Sequence, residues 1–148
     1  MNINFDVIYL DSDGVIVDFE GYFREKLGKS HADYERKSEF WEEVKRLNKI
    51  EPVFESMSLL PHAWLLISLC QTMFKEVKIL TASGGVPKDA PAQKINFYKK
   101  HYPNLECIVV ENSVDKSRYA APGVILVDDM PKSINPWIEK GGIGVLHK

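Results

Sequence analysis

The stretch VIYLDSDGVIVDFE, residues 7–20, joins an apolar run of strand type to two carboxylates and a glycine. Asp11 and Asp13 stand one residue apart at the predicted end of the strand, where they repel each other and where neither is a good strand former. Folding alone does not favour this arrangement, so the pair indicates a chemical role. Gly14 follows at once and allows a sharp turn that would aim backbone amides at a bound anion.

Four more apolar runs rich in valine and isoleucine predict that this strand belongs to a parallel sheet. Each run except the last is followed by a polar or glycine-bearing loop and then by a helical pattern, as in buried parallel strands joined by crossover helices. The sequence therefore predicts an α/β fold, a three-layer Rossmann-like sheet of about five strands flanked by helices. The runs are FDVIYL (5–10), EVKIL (76–80), LECIVV (105–110), GVILV (123–127) and IGVLH (143–147).

Two of the predicted helices have readable starts. The segment KDAPAQKINFYKKHYP (88–103) places Asp89 at the N-cap, with a proline in the first turn. The segment NPWIEKGG (135–142) predicts a short helix that begins with Asn135 as its cap and Pro136 at its first position.

The first two strands are separated by residues 11–75, far more than the roughly 10–15 residues of a typical crossover. Residues 19–60 contain two helical patterns and a turn, and they predict a small helical cap inserted after the first strand. The catalytic core would then consist of residues 1–18 and 61–148.

Composition limits the classes of ligand and location. The 148 residues carry a net charge of −2, which gives no overall field for nucleic acid or anionic membranes, so the expected ligand is small and held locally. Cys70 and Cys107 lie in apolar contexts and are predicted to be buried, reduced thiols. The start of the chain lacks the layout of a signal peptide and no apolar stretch could span a bilayer, which predicts a cytoplasmic protein. A homodimer is left open, and the four histidines are given no role.

Polar residues follow each of the first four predicted strands. In open α/β sheets, ligands bind beyond the carboxyl ends of the strands, near the point where the strand order reverses. We therefore expect one site that combines Asp11 and Asp13, Thr81 and Ser83, Asn112 and Lys116, and Asp128 and Asp129.

These residue types in this order indicate phosphoryl transfer. Asp11 can attack phosphorus as a nucleophile and form an aspartyl-phosphate. Asp13 can protonate the leaving oxygen and later deprotonate the attacking water. The hydroxyl of Thr81 and loop amides, including those of Ala82 and Ser83, would orient the phosphate oxygens.

A carboxylate that approaches a phosphate dianion needs cations nearby. Mg²⁺ prefers hard oxygen ligands, and Asp11, the backbone carbonyl of Asp13 and one or both of Asp128 and Asp129 would supply them. Lys116 would neutralise the remaining charge. A receiver domain uses similar residues, but there the acidic pair comes first and the phospho-accepting aspartate lies mid-chain, so the order here excludes it.

The whole chain resembles the haloacid-dehalogenase-like hydrolase superfamily. The first motif of that superfamily resembles DSDGV (11–15), its second the Thr81 of KILTAS, its third Lys116, and its fourth the VDDMP segment (127–131). The resemblance implies a Rossmann-like core with Mg²⁺-dependent phosphatase chemistry and a cap between the first and second motifs.

A narrower resemblance is to the 5'(3')-deoxyribonucleotidases. It rests on LDSDGVIVDFE (10–20), on the aromatic pair Phe40 and Trp41 in the cap, and on a Pro-x-x-Lys pattern formed by Pro91 and Lys94. This resemblance implies a nucleoside monophosphate substrate and a phosphate contact from the lysine. The alternative for Lys94 is an exposed helix lysine.

The cap aromatics are the residues that point to a base. Phe19, Trp41 and Phe54 could stack on any nucleobase, since each offers a flat aromatic face. Alternatively, they form the core of the cap itself.

Three other functions stay open at the level of sequence. The protein could hydrolyse sugar phosphates or a nucleic-acid 3'-phosphate end, or it could be a phosphate- or partner-binding module without turnover. The presence of Asp13 argues against the last, because a binder has no use for an acid/base residue.

Overall fold

The computed structural model describes residues 5–148. This part of the chain contains five strands and six α-helices, with 3₁₀ helices at His31–Asp33 and Ser113–Tyr119. In chain order the elements are β1 (Phe5–Leu10), α1 (Phe19–Leu27), α2 (Lys37–Asn48), α3 (Val53–Ser56), α4 (Ala63–Met73), β2 (Phe74–Ala82), α5 (Ala90–His101), β3 (Glu106–Val110), β4 (Ile125–Asp128), α6 (Pro131–Glu139) and β5 (Ile143–Leu146).

The strands form one parallel sheet in the order β3-β2-β1-β4-β5. This confirms the predicted α/β fold class. Leu10 of β1 is level with Ile79 of β2 on one side and with Val127 of β4 on the other. The chain crosses from one side of β1 to the other between β3 and β4, so the strand order reverses at the carboxyl end of β1, where a ligand site is expected.

Two apolar layers cover the faces of the sheet because successive strand residues point to opposite sides. On one face, Leu10 belongs to a buried cluster with Phe23 and Phe40 from α1 and α2 and with Phe97 from α5. On the other face, the fully buried Trp137 of α6 forms a second cluster with strand residues. The helices of residues 19–60 therefore share a core with the sheet.

A polar network joins the helices of residues 19–60 to α5. The backbone N–H of Phe54 donates to Oε1 of Gln93 at 2.9 Å, and Nε2 of Gln93 donates to Oδ1 of Asn48 at 2.8 Å. Asp89 is the N-cap residue of α5, as predicted, but its carboxylate accepts a hydrogen bond from Asn48 instead of from a helix N–H. These bonds fix the position of α3 over the first turns of α5.

The predicted start of α6 is wrong. The helix begins at Pro131 rather than after Asn135, and Pro136 lies within it. A proline at the first turn has no donor to lose, and Pro131 fills that position. Pro136 removes a donor for the carbonyl of Lys132, an exposed residue of the first turn, where water can replace the lost bond.

Both cysteines are free thiols. Cys70 is buried, as predicted, whereas Cys107 is only partly buried, because it lies on the outermost strand β3. Burial raises the pKa of the Cys70 thiol, and burial raises the pKa of the Cys107 thiol to about 12, which disfavours the nucleophilic thiolate at both positions. Among the described residues, no helix combines the length and the apolar character needed to cross a membrane.

Candidate active site

A cleft of about 550 Å³ opens at the carboxyl edge of the sheet, below the helices of residues 19–60. The residues predicted for the site line this cleft, except Lys94 and the aromatic Phe54. The predicted residues on its wall are Asp11, Asp13, Thr81, Ala82, Ser83, Asn112, Lys116, Asp128, Asp129, Phe19 and Trp41.

The loop after β1 is held by its own backbone. The N–H of Asp11 donates to the carbonyl of Val127 at 2.9 Å and so extends the pairing of β1 with β4 past the end of the strand. The carbonyl of Ser12 then accepts hydrogen bonds from the N–H groups of Ile16 at 2.9 Å and Val17 at 3.0 Å. This tight turn fixes where the side chains of the first motif begin.

Gly14 is required at its position for two reasons. Its φ of +82° lies in the left-handed region, which favours glycine. A Cβ at this residue would also lie 2.2 Å from Oδ2 of Asp129. The glycine therefore lets the first and fourth motifs approach each other.

Lys116 bridges two carboxylates at the bottom of the cleft. Its Nζ donates to Oδ1 of Asp11 at 2.8 Å and to Oδ2 of Asp128 at 2.6 Å, and its side chain is only 3% exposed. Burial disfavours the charged form of Lys116, but the attraction of the two carboxylates outweighs it and raises the pKa of the lysine. Burial raises the pKa of Asp11 well above its usual value, against the attraction of Lys116.

The acidic cluster fits a divalent cation. One oxygen each from Asp11, Asp128 and Asp129 lies within 4.8 Å of the others. Three carboxylates against the single ammonium of Lys116 leave negative charge uncompensated, and burial, with repulsion from Asp128, raises the pKa of Asp129. Hard oxygen donors of this kind suit Mg²⁺.

The two carboxylates of the fourth motif have different surroundings. Oδ2 of Asp128 accepts from Lys116, and Oδ1 accepts from the backbone N–H of Met130 at 3.0 Å. Asp128 is fully buried, whereas Asp129 is partly exposed on the cleft. Asp129 is thus the more accessible of the two for a metal ion.

Lys94 lies behind the cleft wall. Its Nζ donates to Oδ2 of Asp13 at 2.7 Å and to Oγ1 of Thr81 at 2.9 Å, and it sits 4.6 Å from the centre of the Phe54 ring. The side chain is 2% exposed, so the alternative of an exposed helix lysine is wrong. The structure brings Lys94 to the predicted acid/base residue.

The aromatic side chains from the helices of residues 19–60 divide into two groups. Phe19 and Trp41 are half-buried and line the cleft, whereas Phe40 and Phe54 are buried in the apolar core. The ring of His31 also lines the cleft, with its centre 6.1 Å from that of Trp41. Sequence reasoning gave His31 no role.

Further cleft residues were missed as well. Lys132 and Ser133 line the cleft directly after the fourth motif, and this proximity in sequence could have revealed them. Glu20 also lines the cleft, and its position directly after Phe19, a predicted cleft residue, could have revealed it. No sequence signal marks His31, which reaches the cleft through the packing of a 3₁₀ helix against α2.

No protein-family model and no curated protein sequence matches the chain. Solved structures of haloacid-dehalogenase-like hydrolases do match its fold. A dehalogenase is 13% identical with a TM-score of 0.64, covering 99% of this chain and 86% of its own. A haloacid-dehalogenase-like hydrolase from Xanthomonas campestris is 13% identical with a TM-score of 0.62, covering 95% and 80%. The Bacillus subtilis protein YfnB, solved bound to magnesium, is 13% identical with a TM-score of 0.60, covering 96% and 86%. The chain therefore has the fold of the haloacid-dehalogenase-like hydrolases, as the sequence resemblance predicted.

Proposed function

We propose that the protein is a Mg²⁺-dependent phosphomonoester hydrolase that acts through an aspartyl-phosphate on Asp11, with nucleoside monophosphates as substrates. The observation that carries this proposal is the pair of carboxylates at the end of β1. Asp11 joins the cluster around Lys116, while Asp13, two residues on, lies outside that cluster and beside the same cleft. The fold of the matching hydrolases supports the same reaction class.

The reaction takes two balanced steps. A carboxylate oxygen of Asp11 bonds to phosphorus as the bond from phosphorus to the leaving oxygen breaks, and Asp13 gives that oxygen a proton. Asp13 then removes a proton from water, whose oxygen attacks phosphorus and breaks the bond to Asp11. Inorganic phosphate leaves and both carboxyl groups return to their initial states.

The other residues of the cleft stabilise charge and orient the phosphate. Lys116 compensates the charge of Asp11 and of the incoming phosphate. The hydroxyl of Thr81 and the amide of Ala82 would bind phosphate oxygens. The amide of Ser83, predicted for the same role, instead donates to the carbonyl of Val110 at 2.9 Å, so only the side chain of Ser83 faces a ligand in the cleft. Mg²⁺ held by Asp11, Asp128 and Asp129, with the Asp13 carbonyl, would offset the charge of the phosphate dianion.

Two features support a nucleotide as substrate. The cleft volume falls within the range of about 300–1,000 Å³ that is usual for small-molecule sites. Phe19 and Trp41 face the cleft from the cap, where a base attached to a bound phosphate could stack on them. A screen of the purified protein against nucleoside monophosphates, sugar phosphates and a 3'-phosphorylated oligonucleotide tests this choice. Preference for either of the last two classes would contradict it.

Metal dependence gives the first prediction. EDTA should abolish turnover and added Mg²⁺ should restore it. Because Asp129 is the more accessible carboxylate, Asp129→Ala should weaken Mg²⁺ binding by at least about 10-fold, and by more than Asp128→Ala does. Calorimetric titration with Mg²⁺ measures both, and Glu111→Ala, an exposed carboxylate on the cleft wall outside the cluster, is the control. Full activity in EDTA would contradict the prediction, and a stronger defect at Asp128 would reverse the assignment.

The cap gives the second prediction. Trp41→Ala should cost about 1 to 3 kcal/mol of nucleotide binding, with little change in kcat/KM for p-nitrophenyl phosphate, because only the nucleotide has a base to stack. Trp64→Ala is the matched control, since Trp64 is 64% exposed on α4 and does not line the cleft. An equal loss on both substrates would show that Trp41 is cap core.

A further inference from the structure

Helix α5 holds the loop of the first motif through two buried side chains one turn apart. Lys94 donates to Oδ2 of Asp13 at 2.7 Å, and the hydroxyl of Tyr98 is 2.8 Å from Oγ of Ser12. Lys94 is 2% exposed and Tyr98 is 1% exposed. Residues four apart on a helix lie on the same face, so one helix contacts two consecutive residues of the catalytic loop.

We propose that Lys94 is a positioning residue that fixes the carboxyl group of Asp13 for proton transfer. The inference rests on the proposed function, since it concerns the acid/base step of that reaction. Because Lys94 does not line the cleft, this role differs from the direct phosphate contact that the resemblance to the deoxyribonucleotidases implies. Lys94 acts through Asp13.

The difference in exposure between the side chains of Lys94 and Asp13 supports this role. The side chain of Asp13 is 26% exposed on the cleft and would be free to change rotamer, whereas that of Lys94 is 2% exposed and held from several sides. The ammonium is enclosed by Asp13, by Thr81 and by the ring of Phe54. A fixed buried cation thus restrains a partly exposed carboxylate.

The contact with Thr81 helps to hold the ammonium of Lys94 without using the hydroxyl proton of Thr81. Lys94 has only donors, so its bond to Oγ1 of Thr81 makes that hydroxyl an acceptor. The hydroxyl proton of Thr81 is then available to point into the cleft toward a phosphate oxygen. Thr81 keeps this proton when the lysine is replaced, so phosphate binding does not depend on the contact, and the role assigned to Lys94 is the positioning of Asp13.

The polar network between α3 and α5 keeps this lysine in place. Gln93, the neighbour of Lys94, bonds to the backbone of Phe54, and Phe54 covers the ammonium. The cap therefore contributes to the restraint on Asp13 even though its α3 helix does not line the cleft.

The test compares substrates whose leaving groups differ in their need for a proton. The nucleoside of a 5'-monophosphate leaves through an alkoxide oxygen that needs a proton from the acid, whereas p-nitrophenolate leaves without one. Lys94→Met should lower kcat/KM for deoxythymidine monophosphate about 10- to 100-fold more than for p-nitrophenyl phosphate. Competitive inhibition by inorganic phosphate should change little, and Lys94→Arg should recover part of the lost activity. Lys100→Met, an exposed lysine on the same helix, is the matched control.

A second comparison isolates the route through Asp13. In an Asp13→Asn background, Lys94→Met should cause little further loss on the nucleotide, because the group that it positions is gone. If Lys94→Met fails to fold, Lys94→Gln carries the same test. Equal losses on both substrates, weaker inhibition by inorganic phosphate, or a full additional loss in the Asp13→Asn background would each overturn the inference while leaving the phosphatase function standing. If the wild-type protein hydrolyses neither substrate, the proposed function itself fails.

Discussion

Replacing Asp11 with asparagine should eliminate turnover of every phosphomonoester that the wild-type protein hydrolyses. The amide is not a nucleophile toward phosphorus, so the covalent step has no substitute among the groups around it. Loss of a nucleophile of this kind costs on the order of 10⁴-fold or more in kcat. Steady-state assays with excess Mg²⁺ measure the effect and exclude a simple loss of metal affinity.

The Asp11 variant should stay folded, because the substitution removes one of three mutually repelling carboxylates. Lys116 keeps its bond to Asp128, so no buried charge is left unpaired. Thermal unfolding should therefore show no loss of stability. Asp6→Asn, which removes an exposed carboxylate at the opposite end of β1, is the control for the substitution itself. Substantial activity of the Asp11 variant would contradict the assignment of the nucleophile.

Replacing Asp13 with asparagine should lower turnover by about 10²- to 10⁴-fold, the range typical of general acid–base catalysis. The variant keeps the nucleophile, the acidic cluster and the backbone carbonyl of residue 13. It should therefore still bind Mg²⁺ and still bind beryllium fluoride, a phosphate mimic, at Asp11.

The substrate dependence of the Asp13 defect identifies its origin. The value of kcat/KM depends only on the steps up to the first irreversible one, which here is the transfer of the phosphoryl group to Asp11. The loss of kcat/KM should therefore be larger for a nucleotide than for p-nitrophenyl phosphate, because p-nitrophenolate needs no proton. Loss of Mg²⁺ or beryllium fluoride binding in this variant would instead indicate that Asp13 holds the site together. An undiminished rate on the nucleotide would remove Asp13 from the reaction.

The fold could be predicted because its signals are local. β1 is central and buried, so its sequence is a continuous apolar run that ends where Asp11 begins. The boundary of α6 could not be predicted, because Pro131 and Pro136 are both acceptable as a first helical residue. The choice depends on Met130, whose N–H is held by Asp128 from the end of β4.

In the candidate site, too, local signals could be read from the sequence, whereas contacts between distant residues could not. The carboxyl ends of neighbouring strands bring Asp11, Thr81 and Asp128 together. The position of each residue in its motif therefore sufficed to predict that it lies at the site. The partner of Lys94 is 81 residues away in sequence, and their contact depends on how α5 packs against the loop of the first motif. A helical pattern defines the face on which a lysine lies but not the group that it meets.

Two aromatic residues of α2 show most directly what could not be predicted from the sequence. Phe40 and Trp41 are adjacent on α2, and neighbours on a helix point about 100° apart, so both could not face the cleft. Phe40 enters the core against Phe23, with ring centres 5.0 Å apart, and Trp41 lines the cleft. Only the packing of α2 on α1 decides which of the two is placed to meet a ligand.

The covalent intermediate is the central claim, and chemical trapping tests it most directly. Asp13→Asn protein is loaded with p-nitrophenyl phosphate, which transfers its phosphoryl group without an acid, and the missing base should let the aspartyl-phosphate accumulate. Acid quenching and borohydride reduction convert an aspartyl-phosphate to homoserine, which peptide mass spectrometry locates. We expect the reduced residue at position 11 and nowhere else, and none in the Asp11→Asn protein. Phosphate found on Ser12 or Ser83, or turnover with no covalent species, would contradict the account.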